Sequence, residues 1–142
     1  VSKVIAEIAQ ANLNDVGGKV FQNNALDALE ELEEHEEDLV NIVVMHSFLE
    51  HECHPLRLLR ILNKLLPPNG VIFIKVPNFD CWNRFLRGNR WCGFRYPDHV
   101  NYFTPKTLRI LAEEVGFVVS RQKIFDRFPT SDNMYAVLKK IA

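Results

Sequence analysis

Histidines, acids and a cysteine crowd into two short stretches of this chain. The first is His46-Ser47-Phe48-Leu49-Glu50-His51-Glu52-Cys53-His54, the second Asp98-His99-Val100-Asn101-Tyr102. Imidazole changes charge near neutrality, so a histidine beside a hydroxyl or a carbon acid suits proton abstraction. His99 is the candidate base, with Asp98 placed to orient its ring and raise its basicity. The competing role for His99 is structural, packed beneath neighbouring rings. His51, Cys53 and His54 also read as a metal cluster, but zinc sites use ligand pairs at recurring spacings and the chain has no second pair. No bound metal is therefore expected, and Glu50 and His51 are expected to hydrogen-bond loop backbone where the next helix starts. Nothing near Cys81 or Cys92 marks a low-pKa thiol, so both read as small buried residues.

Such groups act only if regular elements hold them. The first stretch ends an apolar run, Val40-Asn41-Ile42-Val43-Val44-Met45. A leucine-rich helical pattern follows over 55–66, then the turn Pro67-Pro68-Asn69-Gly70. A second apolar run, 71–76, closes on Pro77-Asn78. This is strand, loop, helix, turn and strand, the length of one βαβ crossover. Open parallel sheets bind ligands at the carboxyl ends of their strands, which is where the first stretch falls.

Val4, Ile5, Ile8 and Leu13 recur at helical spacing and predict a helix over 1–13. Gly17-Gly18 lies in a loop after it, and 19–22 reads as a short strand. An acidic helix is expected over 26–37, with Leu26, Leu29 and Leu32 as its apolar edge and its acids as a solvated face. Residues 79–97 carry many large rings and no clear period, so they predict an aromatic wall or lid with one short helix, or else a satellite hydrophobic cluster. Thr104 is a natural N-cap, Pro105 suits the first helical position, and Gly116 ends that helix. Strands are expected over 117–128 and 133–141. The whole of 1–142 reads as one domain.

Apolar residues make up 47% of the 142, enough for one globular core. A net charge of -1 predicts no nucleic-acid partner and no pull toward a membrane surface. No apolar run nears the roughly 20 residues that span a bilayer, and the start does not read as a secretion signal. Three cysteines without framework spacing predict reduced thiols and a cytoplasmic location.

The order of these pieces resembles the second half of class I S-adenosylmethionine-dependent methyltransferases, in the branch that acts on small molecules. The resemblance rests on Val43-Val44-Met45-His46, Leu49-Glu50-His51, the helix from Leu56 to Leu62, and the turn Leu65-Leu66-Pro67-Pro68-Asn69-Gly70. It continues through residues 98–105 and 108–117 and covers nearly the whole chain. It implies an α/β, Rossmann-like sheet, mostly parallel with an antiparallel C-terminal strand, in the family order 3-2-1-4-5-7-6. It implies S-adenosylmethionine as cofactor and a small metabolite methylated on oxygen or carbon. Cofactor contact is carried over to Met45 and His46, the latter through its backbone, and to Asn24 and Ala25. A histidine beside the acceptor is carried over to His99. Arg90, Arg95, Tyr96 and Tyr102 are the expected acceptor-side lining, and arginines there suit a phosphate or carboxylate. Some relatives bind a divalent metal with the Glu-His pair and a glutamate three residues earlier. Ser47 stands at that earlier position.

The family's glycine-rich turn after a first strand, and the acid after its second, have no match here. Gly17-Gly18 follows a helix instead. The chain therefore reads as the carboxyl-terminal part of a longer domain, binding S-adenosylmethionine weakly by itself, with an exposed sheet edge open to self-association. Two rival expectations remain. One is a non-catalytic domain of the same fold, acting as a binding module or scaffold. The other is a metal-using RNA methyltransferase, disfavoured by Ser47 and by the lack of an overall basic surface.

Overall fold

A computed structural model describes residues 2–34, 40–121 and 131–141. The chain divides into two compact units, 1–38 and 39–142.

The first unit holds helix α1 (Lys3–Leu13), a 3-10 turn at Asn14–Val16, and helix α2 (Ala25–Glu34). The apolar stripe that predicts α1 stays largely uncovered: Val4, Ile5 and Ile8 are exposed, and Ala6 is the buried residue of the helix. The expected strand over 19–22 does not form. A strand needs a ladder partner, and among the described residues none pairs with it. The Gln10 side chain takes up that backbone instead. It accepts from the Val20 N–H at 2.8 Å and donates to the Gly18 carbonyl at 2.8 Å. The expected end of α2 at 35–37 lies outside the described residues.

The second unit carries a four-stranded sheet. Its strands are β1 (Ile42–His46), β2 (Val71–Pro77), β3 (Phe117–Arg121) and β4 (Asn133–Lys140), in the order β1-β2-β4-β3. β1 and β2 are parallel, as the crossover pattern predicts, and helix α3 (Pro55–Leu65) connects them. β4 runs antiparallel between β2 and β3. The last strand in sequence is thus inserted inside the sheet, which reproduces the 4-5-7-6 end of the expected order. The expected continuation of β3 over 122–128 lies outside the described residues.

Period-two burial sets the core face. Ile72, Ile74 and Val76 are buried on β2, and their β4 partners Leu138, Ala136 and Met134 are buried opposite them. α3 buries Leu58, Leu59, Ile61 and Leu62, the leucine-rich face that its spacing predicts. Helix α5 (Pro105–Glu114) starts as expected at Thr104, whose hydroxyl accepts from the Thr107 N–H at 3.1 Å. Thr107 reciprocates by accepting from the Thr104 N–H at 2.8 Å, so both orphan donors are satisfied. Gly116 follows at φ 80, a left-handed position that only glycine takes freely. The ring-rich stretch contains helix α4 (Trp82–Arg87) and a 3-10 turn at Gly88–Arg90.

Candidate active site

Beyond the carboxyl end of β1 the chain turns sharply. Ser47 sits at φ 52, and its N–H donates to the Lys75 carbonyl of β2 at 3.0 Å. A 3-10 turn, Leu49–His51, then buries Leu49 and Glu50. The loop after residue 97 is tied to this turn. The Glu50 carbonyl accepts from the Val100 and Asn101 N–H groups at 2.9 and 3.0 Å. The Asn101 amide donates to the carbonyls of Leu49 and Glu52 at 3.3 and 2.6 Å. These bonds bring the two chemistry-bearing stretches together.

They enclose a pocket of about 280 Å³ lined by Ser47, Glu50, His51, Lys75, Arg95, His99 and Asp132, among others. His99 is buried and its Nδ1 lies 2.8 Å from the Gly93 carbonyl. A carbonyl can only accept, so in the neutral ring Nδ1 carries the proton and Nε2 keeps its lone pair. The exposed His51 is held in the same way, with Nδ1 2.7 Å from the Asp98 carbonyl. The two rings meet edge to face, their centroids 4.7 Å apart. Glu50 is 1% exposed, and its Oε2 has no hydrogen-bond partner among the described residues. One ligand-capable atom from each of Glu50, His51 and His99 lies within 4.8 Å of the others. A buried carboxylate oxygen without a protein partner calls for an explanation, and a bound ligand or ion is one.

Gly93 owes its identity to this loop. A Cβ there would fall 2.1 Å from the Trp91 ring, so only glycine lets its carbonyl reach His99 past that buried indole. The Trp91 Nε1 donates to Asp132 at 2.7 Å, and Cys81 Sγ lies 3.6 Å from the same oxygen. Burial pushes the Asp132 carboxyl up, but hydrogen bonds from Trp91, Asn83, Cys81 and Cys92 outweigh it and hold the group below its ordinary value. Desolvation, followed by the Asp132 charge and its hydrogen bonds, raises the Cys92 thiol. Burial is likewise the largest cause raising Cys81. Neither cysteine is an activated nucleophile, in line with the reading from sequence. Cys92, however, is exposed rather than buried.

Of the residues expected on the acceptor side, His99 and Arg95 line the pocket. Arg90 lines a separate shallow groove with Leu86, Arg87 and Asn89. Tyr96 is exposed, and Tyr102 packs at a tilt against Phe79 and Phe94. The group orienting His99 is the Gly93 carbonyl, whereas Asp98 turns its own carbonyl to His51. The His51 side chain does bond loop backbone, at Asp98 rather than at the α3 start, whereas Glu50 meets the 100–101 backbone through its own main-chain carbonyl. On the expected cofactor side, His46 is exposed at the end of β1, while the Met45 side chain is in the core. Asn24 and Ala25 belong to the first unit. There the Asn24 side chain accepts from the Asp27 N–H at 2.9 Å and donates to the Asp27 carboxylate at 2.5 Å, capping α2.

The reading from sequence weighed Glu50 only as half of a metal pair with His51, and it passed over Lys75 and Asp132 as pocket residues. Glu50 left one trace, an acid followed by His51 at a strand end. Lys75 and Asp132 left none, because strand pairing alone brings them there.

The sheet order and the pocket at its carboxyl edge define an α/β protein of the Rossmann-like methyltransferase fold. The solved structures agree. A SAM-dependent methyltransferase from Archaeoglobus fulgidus superposes with a TM-score of 0.69 at 14% identity, over 99% of this chain and 73% of that one. The mitomycin 7-O-methyltransferase MmcR gives 0.68 at 12% identity, over 98% of this chain and 40% of its own. The CurJ carbon methyltransferase gives 0.63 at 15% identity, over 100% of this chain and 40% of its own. Identities this low speak for the fold alone. No curated protein sequence matches the chain. The model of the methyltransferase domain family matches residues 4–122, and the chain belongs to that family.

Proposed function

We propose that the protein transfers a methyl group from S-adenosylmethionine to oxygen or carbon of a small metabolite, with His99 as general base. The observation that carries this is the Nδ1 bond of His99 to the Gly93 carbonyl, which leaves Nε2 unprotonated in a pocket at the carboxyl ends of β1 and β2. Solved proteins of the same fold include an O-methyltransferase and a carbon methyltransferase, which is in keeping with this proposal.

S-adenosylmethionine, when bound, supplies the methyl group from a sulfonium. His46 at the β1 end fits the cofactor side through its backbone, and Met45 contributes backbone only, since its side chain is in the core. Asn24 and Ala25 are the adenine-side candidates, and Asn24 would have to trade its cap for that contact. His99 takes the acceptor's proton on Nε2 as the new bond forms. Arg95 and Lys75 supply positive charge to the pocket and favour an acceptor bearing a carboxylate or phosphate. In the full-length enzyme, His99→Ala lowers turnover about a hundredfold. Radiolabelled methyl transfer to a panel of hydroxylated and β-dicarbonyl acids checks this; an unchanged rate would retire the assignment.

A second reading has its own observation: Glu50, His51 and His99 form a three-ligand set for a divalent cation, with Glu50 Oε2 unpartnered. Metal would then replace the base in activating the acceptor. Chelation followed by manganese or magnesium addition separates the two. Activity lost and restored supports the metal, and activity indifferent to chelation supports the base.

Three free thiols support a reducing, cytoplasmic location. No helix among the described residues is long and apolar enough to cross a membrane. The uncovered edge of β1, with Ile42 and Val44 exposed, supports self-association through the sheet.

A further inference from the structure

The net charge of -1 conceals a local asymmetry. Between Cys81 and Pro97 lie Arg84, Arg87, Arg90 and Arg95, with no aspartate or glutamate among them. No ion pair joins these arginines to a carboxylate among the described residues. The same segment exposes several large apolar side chains. Trp82, Phe85 and Leu86 share one face of α4 at spacings of three and four, and they are 60%, 63% and 82% exposed. Tyr96 is 87% exposed. Arg84 lies over the Phe79 and Phe85 rings, 4.2 and 4.0 Å from their centroids. Phe79 in turn packs on the buried Trp91 and on Phe94. The apolar face is therefore mounted on a packed base, and its exposure is not the fraying of a terminus.

We propose that this arginine-rich aromatic lobe is a docking surface for anionic lipid bilayers. Large apolar rings set among cations suit the boundary where hydrocarbon meets charged headgroups. Each arginine near an anionic leaflet adds attraction that salt screens. The six-residue α4 inserts at most one turn, so binding is peripheral and reversible. A second copy of the chain is the poorer occupant, because a two-fold interface here would set four arginines against four. Single-stranded RNA would suit the rings and arginines but not Leu86, the most exposed of the three α4 side chains, which offers no stacking face. For this one lobe the proposal departs from the expectation, drawn from whole-chain charge, of no pull toward membranes.

Sedimentation with vesicles of phosphatidylcholine, with and without phosphatidylglycerol, tests the surface. The protein should sediment with the anionic vesicles at low salt, release on salt addition, and stay in solution with phosphatidylcholine alone. Trp82 emission should shift blue on binding, and Trp82→Phe should abolish the shift because Trp91 is already buried. Phe85→Ala with Leu86→Ala, and separately Arg87→Glu with Arg90→Glu, should each lower partitioning about tenfold or more. Circular dichroism and melting should stay unchanged, since all four side chains are exposed. Equal behaviour on both vesicle types overturns the proposal. So does poly-U binding in place of vesicle binding, or a dimer seen by light scattering that the Phe85/Leu86 variant dissociates.

Discussion

Asp132 shows how one side chain can hold the pocket wall together. Its carboxylate gathers Cys81 just before α4, Asn83 within it, and the Trp91 indole and Cys92 after it. Those bonds favour the charged form and hold the folded group below its ordinary value. The stabilisation is therefore complete above the unfolded carboxylate range of about 3.9 and is lost as pH falls through the folded value. Asp132→Asn lowers the melting temperature at neutral pH, and its gap from the parent protein narrows in acid. Scanning calorimetry across pH checks this, and a gap independent of pH would show that the charge is not what matters. His99 teaches a related lesson. Its position in Asp98-His99 suggested an orienting carboxylate, but the geometry supplies a carbonyl six residues back, made reachable by Gly93.

At the scale of elements, local chemistry was legible where local chemistry decides. Thr104-Pro105 starts α5 because a hydroxyl and a preset φ satisfy a helix start without help from elsewhere. Thr104→Ala should cost about 1 kcal/mol of stability, read by urea unfolding. The double substitution Thr104→Ala with Thr107→Ala should cost less than the sum of the single losses, because each residue caps the other. The segment over 19–22 is the counterexample. It read as a short strand, yet a strand exists only with a partner, and the Gln10 amide bonds the Gly18 and Val20 backbone instead.

At the scale of the whole molecule, the sheet ends on β1, a parallel edge strand whose Ile42 and Val44 remain exposed. Such an edge offers unpaired backbone groups beside apolar side chains. Val44→Lys should reduce concentration-dependent association in light scattering while leaving the melting temperature nearly unchanged, because the residue is 70% exposed. Association that persists unaltered would move the contact to another surface.

The chain by itself determined the crossover of β1, α3 and β2, the caps, and the place of His46 to His51 at a strand end. Those features depend on period, turn chemistry and neighbours within a few residues. The tertiary structure alone decided that Glu50 would be buried with an unpartnered oxygen, and that His51 and His99 would touch across 47 intervening residues. It also delivered Lys75 and Asp132 to the same pocket. The reason is physical: periodicity tells which way a side chain faces on its own element, whereas convergence at the sheet's edge depends on the parallel β1–β2 register and on the insertion of β4 beside β2, pairings that no short window of sequence contains.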